Sequence, residues 1–151
     1  MDPELNIRPF QESDEQDVAE LWREIFVDES AYNVPEQDIW RKLKVQRELF
    51  LVATLDERVV GTTMAGYDGH RGWLYYVAVS PQYRRRGIGK TLMTRVENEL
   101  RAMGCPKINL QVRAWNIGTV AFYKKLGYQI EERVSLGKRL IVDDQRPPES
   151  S

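Results

Sequence analysis

The apolar positions of this chain change period along its length, and the changes delimit its elements. Val18, Leu21, Trp22, Ile25 and Phe26 recur at i, i+3, i+4, i+7 and i+8. That spacing draws one apolar stripe on a helix. Ser13 stands three residues before Gln16, a capping-box spacing, so a helix is predicted from Ser13 to Phe26. Before it, Leu5 to Phe10 reads as a short extended segment. Residues 27–34 have no period and read as a loop. Pro35 suits a first helical turn, and Ile39, Trp40 and Leu43 mark a second helix running to about Glu48.

From Leu49 the period shortens. Leu49–Leu55, Val59–Tyr67 and Trp73–Val79 are apolar, partly β-branched runs joined by the turns Asp56-Glu57-Arg58 and Asp68-Gly69-His70-Arg71-Gly72. Three strands with short connections predict an antiparallel meander. Ile88, Leu92, Met93, Val96, Leu100 and Met103 then restore a helical face, with Gly104 placed to end it. Lys107–Arg113 alternates as a strand, Ile117–Leu126 reads as a short helix stopped by Gly127, and Tyr128–Arg133 and Ser135–Val142 read as two last strands. The predicted class is α/β (α+β): a mixed, mostly antiparallel sheet with helices, in which the unit from Trp73 to Arg113 crosses over to join parallel strands. A single domain over 1–142 is expected, with 143–151, which contains Pro147-Pro148, as a disordered tail.

Composition narrows the chemistry. At 151 residues the chain suits one domain, and 42% apolar with 30% charged residues is ordinary for a globule. The single Cys105 excludes an intrachain disulfide and a Cys-rich metal site, and the single His70 excludes a multi-His site. No metal is expected. No apolar run approaches ~18 residues, and the acidic start Met1-Asp2-Pro3-Glu4 lacks the apolar core of a signal peptide. A reduced, cytoplasmic protein without membrane partners is expected. A net charge of −1 argues against a dedicated nucleic-acid binder.

The richest stretch is Val77-Ala78-Val79-x-Pro81-x-x-Arg84-Arg85-Arg86-Gly87-Ile88-Gly89-Lys90. A strand ends, a glycine-bearing turn follows and a helix begins. A helix N-terminus leaves backbone N–H groups unpaired and carries partial positive charge, which suits a pyrophosphate. The glycines permit close approach, and the arginines and Lys90 add charge; the same Arg run also suits a solvated surface. The stretch is not a P-loop, because Arg84 stands where that motif begins with Gly. It is not a dinucleotide fingerprint, because Leu92 stands where that motif ends with Gly. Further on, Asn116 precedes a helix, as a cap or a ligand contact, and Tyr123 follows seven residues later, as core or as a phenol able to donate a proton.

In this order and spacing, Val77-Ala78-Val79-x-Pro81, Arg84-x-x-Gly87-x-Gly89 and Asn116-x6-Tyr123 with Gly127-Tyr128 resemble the GNAT superfamily of acetyl-CoA-dependent N-acetyltransferases. The resemblance runs from about Ile7 to Ile141. Tyr76–Tyr128 looks most like the ribosomal-protein alanine N-acetyltransferase type. Tyr67–Gly72 and Ser135–Ile141 look more like a small bacterial GNAT subfamily without an assigned substrate. The resemblance implies a splayed parallel strand pair with helices on both faces, and acetyl-CoA as cosubstrate. It implies a pyrophosphate on the amides from Arg85 to Lys90 (Arg85, Arg86, Gly87, Ile88, Gly89, Lys90) beside Arg84, and a pantetheine arm along Val77, Ala78 and Val79. It further implies Asn116 beside that arm, Tyr123 as the acid that meets the departing thiolate, and a primary amine of a small molecule, peptide or protein as acceptor. A monomer or homodimer is expected.

One position departs from the family pattern. Many relatives carry a Glu general base on the strand that Lys107–Arg113 forms, and here Gln111 stands in that place. An amide cannot take up a proton at neutral pH. Asp68, His70 and a water near Tyr75 are the candidate replacements. Without a base, acceptors of low pKa are favoured. Gln111 also admits a competing expectation, a non-catalytic acyl-CoA-binding or sensor module. Glu29, Tyr32 and Trp40 fall where the family builds its acceptor wall.

Overall fold

A computed structural model describes residues 4–27 and 34–143. The expected Glu29 and Tyr32 of the acceptor wall, and tail residues 144–151, lie outside the described residues. Five strands form one sheet in chain order: β1 (Asn6–Pro9), β2 (Phe50–Leu55), β3 (Arg58–Tyr67), β4 (Gly72–Val79) and β5 (Ile108–Leu110). The first four pair antiparallel, and β4 pairs parallel with β5. The helices are α1 (Glu15–Ile25), α2 (Pro35–Lys42), α3 (Ile88–Ala102) and α4 (Ile117–Lys125). The mixed, mostly antiparallel sheet with one parallel pair is thus as the sequence predicts.

The sheet is buried on both faces, which explains why β2 reads as a continuous apolar run. Phe50 and Val52 pack with Val18, Leu21, Trp22 and Ile39 of α1 and α2. Leu51, Ala53 and Leu55 pack on the other face with Ile88, Leu92, Met93, Val96 and Leu100 of α3. These are the stripes that the 3.6-residue period selects.

Several expectations are corrected. The capping box lies at Gln11 and Asp14, not Ser13 and Gln16. Asp14 is buried and drawn there by Arg8, which donates to both carboxylate oxygens at 2.7 and 2.9 Å. The second helix ends at Lys42 rather than near Glu48, because Gln46 turns left-handed at φ 50° and uses its side chain to pair with the Tyr67 backbone.

The two last predicted strands, Tyr128–Arg133 and Ser135–Val142, are not strands, and the strand expected over Lys107–Arg113 is confined to Ile108–Leu110. Residues 129–136 approach β5 through side chains: Glu131 takes bonds from Lys107 and Asn109, and Ser135 one from Gln111. Val134, Leu136 and Leu140 are exposed.

Asp143, placed by the sequence at the start of a loose tail, is buried. It accepts from the Val34 amide and from Arg41.

Candidate active site

The parallel pair β4–β5 is in register only from Gly72 with Ile108 to Leu74 with Leu110. Beyond it β4 runs on to Val79 with no strand among the described residues on that side. Its backbone edge therefore faces a cleft of about 1300 Å³ between β4, β5, α2, the start of α3 and α4.

A bulge shapes this stretch of β4. The register with β3 shifts between Thr62 and Met64, and Tyr76 takes φ 51°. A left-handed tyrosine is unusual and needs bracing. Trp22 supplies it: its ring stacks on Tyr76 with centroids 3.7 Å apart, and its Nε1 donates to Thr62 Oγ1 at 2.9 Å. Thr62 Oγ1 in turn donates to the Tyr76 carbonyl at 2.7 Å. The bulge turns Tyr76 toward α2, where its hydroxyl donates to Asp38 Oδ2 at 2.5 Å.

Val77, Ala78 and Val79 all line the cleft, as do Arg84, Arg85, Gly87, Ile88, Gly89 and Lys90. Arg85 (φ 65°) and Gly87 (φ 78°) both turn left-handed, and Gly87 is the N-cap of α3. The Gly87 carbonyl receives the Thr91 amide at 3.0 Å, the first bond of the helix. The amides of Ile88, Gly89 and Lys90 therefore have no intrahelical acceptor. The two glycines differ in role. A Cβ on Gly87 would meet nothing within 4 Å, whereas one on Gly89 would sit 3.2 Å from the Phe122 ring. Gly89 thus admits α4 against α3. Arg86 is not on the cleft wall; its guanidinium lies over the Tyr83 ring, 5.1 Å from the centroid.

Asn116 lines the cleft, and its side chain caps α4 by accepting from Thr119 N at 3.2 Å. Tyr123, the next predicted residue, is buried between Phe122 and Tyr128 at edge-on angles and also lines the cleft. Burial pushes its hydroxyl pKa up to about 12, so the phenol stays protonated through the neutral range. Tyr128 donates to Glu97 at 2.7 Å; burial foremost, then that bond, raises its pKa as well.

Among the candidate bases, Asp68 lies outside the cleft wall and its Oδ1 accepts the amides of His70 and Arg71, both at 2.8 Å. That is turn chemistry. His70 is exposed in the same turn and Tyr75 lines the cleft. Gln111 lines the cleft and donates to Ser135. Trp40 is turned away and donates to Glu15. Sequence reading missed Asp38, the only carboxylate lining the cleft among the described residues. Burial raises its pKa above the usual aspartate value; the Tyr76 hydrogen bond lowers it and nearby Asp143 raises it further. Nothing local marks Asp38, because its partner lies 38 residues away.

Among the described residues no group of three or more His, Cys, Asp or Glu is placed to hold a metal ion, and no helix is long and apolar enough to cross a membrane. The cleft instead suits an extended anionic thioester. Unpaired amides and cationic side chains lie at one end, an open strand edge follows, and a buried phenol stands beside it.

Comparison with known proteins agrees with this geometry. Residues 15–128 match the acetyltransferase (GNAT) family. An acetyltransferase of Yersinia enterocolitica is 46% identical over 141 residues, covering 93% of this chain and 99% of the relative. The fold is similar to that of Ard1 from Thermoplasma volcanium (TM-score 0.72, 26% identity, 84% of each chain). It is also similar to that of the aminoglycoside N-acetyltransferase AAC(6')-Iy in complex with CoA (TM-score 0.77, 18% identity, 93% and 98% of the two chains). The chain belongs to the GNAT family and is an acetyl-CoA-dependent acetyltransferase.

Proposed function

We propose that the enzyme moves the acetyl group to a primary amine, of a small molecule, a protein N-terminus or a lysine, by direct attack on the thioester. The observation that carries this reading is that the open edge of β4 and the N-terminus of α3 line one cleft. The first-turn amides of α3, with Arg84, Arg85 and Lys90 around them, hold the pyrophosphate through partial and full positive charge. The backbone from Val77 to Val79 pairs with the pantetheine arm as a strand would. An N–H on that edge, fixed by the bulge at Tyr76, polarises the thioester carbonyl and stabilises the developing oxyanion without reorganising.

Tyr123 donates toward the departing sulfur. A phenol near 12 faces a thiol of ordinary pKa about 8.5, so complete transfer to the relaxed thiolate is uphill by about 5 kcal/mol. Tyr123 therefore acts mainly through its hydrogen bond while the C–S bond breaks, and solvent completes the protonation. Asn116 contributes by fixing the start of α4, from which Tyr123 projects.

The test is thiol release from acetyl-CoA with three amine probes: a peptide with a free α-amino group, an Nα-blocked lysine peptide, and an aliphatic diamine. Mass spectrometry of the products should show an added acetyl group on nitrogen. Thiol release with none of the three contradicts the amine assignment.

A further inference from the structure

We propose that Asp38, held by the Tyr76 hydroxyl, is the group that binds the acceptor's amino group in the cleft and takes its proton. The inference rests on the acetyl-transfer reading above.

The place where the family pattern puts a base holds Gln111, whose amide donates to Ser135. Asp68 is bonded to its own turn. Lys42, also on the wall, donates to the Ala65 carbonyl. Asp38 remains as the sole carboxylate on the wall among the described residues. It lines from α2 the same cleft that Val77, Ala78 and Val79 line from β4. Tyr76, which grips it at 2.5 Å, is the residue immediately before Val77. The bulge in the cleft-facing stretch of β4 and the contact that aims the carboxylate are therefore one local structure. A misplacement of ~1 Å at such a point costs rate heavily.

Other charges also surround Asp38. Arg41 lies 3.5 Å from Oδ1 on the same helix, and Asp143 and Arg139 face it from the C-terminal segment. Arg41 is shared with Asp143, which occupies part of its positive charge. Burial raises the Asp38 pKa, which makes it a better proton acceptor than an ordinary aspartate.

The step balances as follows. The amine lone pair forms an N–C bond to the carbonyl carbon. The resulting cationic nitrogen loses one proton to Asp38, the C–S bond breaks, and the sulfur leaves with the bonding pair, hydrogen-bonded to Tyr123. Asp38 then returns its proton to water. The nitrogen of the adduct is far more acidic than the free ammonium, so a carboxylate suffices.

The experiment compares wild type, Asp38→Asn and Tyr76→Phe by thiol release with the α-amino peptide and the Nα-blocked lysine peptide across pH. Asp38→Asn should lower kcat/KM about 100-fold or more with both. Its profile should lose an acid limb that wild type shows with either acceptor. Acetyl-CoA affinity by calorimetry should stay within about threefold. Tyr76→Phe removes a bond that lowers the Asp38 pKa, so the acid limb should move to higher pH. If Asp38→Asn fails to fold by circular dichroism, the Tyr76→Phe shift decides alone. A folded Asp38→Asn with wild-type rate and profile overturns the proposal, as does a Tyr76→Phe limb that does not move. Activity of the wild type in those cases leaves the acetyl-transfer reading standing; absence of wild-type activity with these two peptides and with the aliphatic diamine overturns that reading and the proposal together.

Discussion

The indole of Trp22 lies flat on the ring of Tyr76, 8° from parallel, and the same indole reaches past it to Thr62. One α1 side chain thus braces both sides of the β4 bulge. Trp22→Phe keeps a ring for stacking but leaves Thr62 Oγ1 without its donor. The expected cost is about 1–3 kcal/mol in denaturant unfolding. A larger proportional fall in kcat/KM than in acetyl-CoA affinity should accompany it, since Tyr76 is left less firmly aimed. A variant as stable and as active as wild type would show that the bulge holds itself.

Tyr123→Phe should lower turnover roughly 10- to 1,000-fold, below the ~100- to 10,000-fold of full acid–base catalysis because Tyr123 acts mainly through its hydrogen bond. Acetyl-CoA affinity should be nearly unchanged. With the phenol pKa pushed up to about 12, no alkaline loss of rate due to Tyr123 is expected below pH ~10. The steady-state rate against pH, with the α-amino peptide at saturation, checks both points. Normal turnover with reduced thermal stability would return Tyr123 to a packing role.

Thr63 is fully buried on β3, opposite the bulge, and its Oγ1 has no hydrogen-bond partner among the described residues. Thr63→Val replaces that hydroxyl by a methyl of similar size. Relief of the unmatched hydroxyl should raise stability by about 1–2 kcal/mol. Thermal unfolding should show a higher Tm. A lowered Tm would mean that the hydroxyl has a partner in solution.

Much of this architecture is legible in the sequence because it rests on local period. The stripe from Ile88 to Leu100 and the runs of β2 to β4 have one packing solution each. Features that depend on a distant partner are not legible. The bulge at Tyr76 is a mismatch between two strands and leaves no mark in either one. Asp38 matters only because that mismatch turns Tyr76 toward it. The segment from Tyr128 to Val142 reads as two strands, yet Val134, Leu136 and Leu140 stay exposed, and a strand is firmly specified only where a face is covered. Gly89 reads as an opening for phosphate, while its missing side chain accommodates Phe122. Gly87 and the run from Val77 to Val79 line the cleft.

The most direct test of the cosubstrate site is a calorimetric titration of acetyl-CoA into wild type and Gly87→Asp. Gly87 is the position of choice because a Cβ there meets no protein atom, whereas one on Gly89 strikes Phe122. The substitution therefore puts an anion at the α3 N-terminus with strain confined to a left-handed backbone that aspartate tolerates. Affinity should fall at least about tenfold while the circular dichroism spectrum is retained, the expected penalty for one unfavourable charge contact of about 1.4 kcal/mol or more. Equal affinity in the two proteins would contradict the placement of the pyrophosphate on this turn.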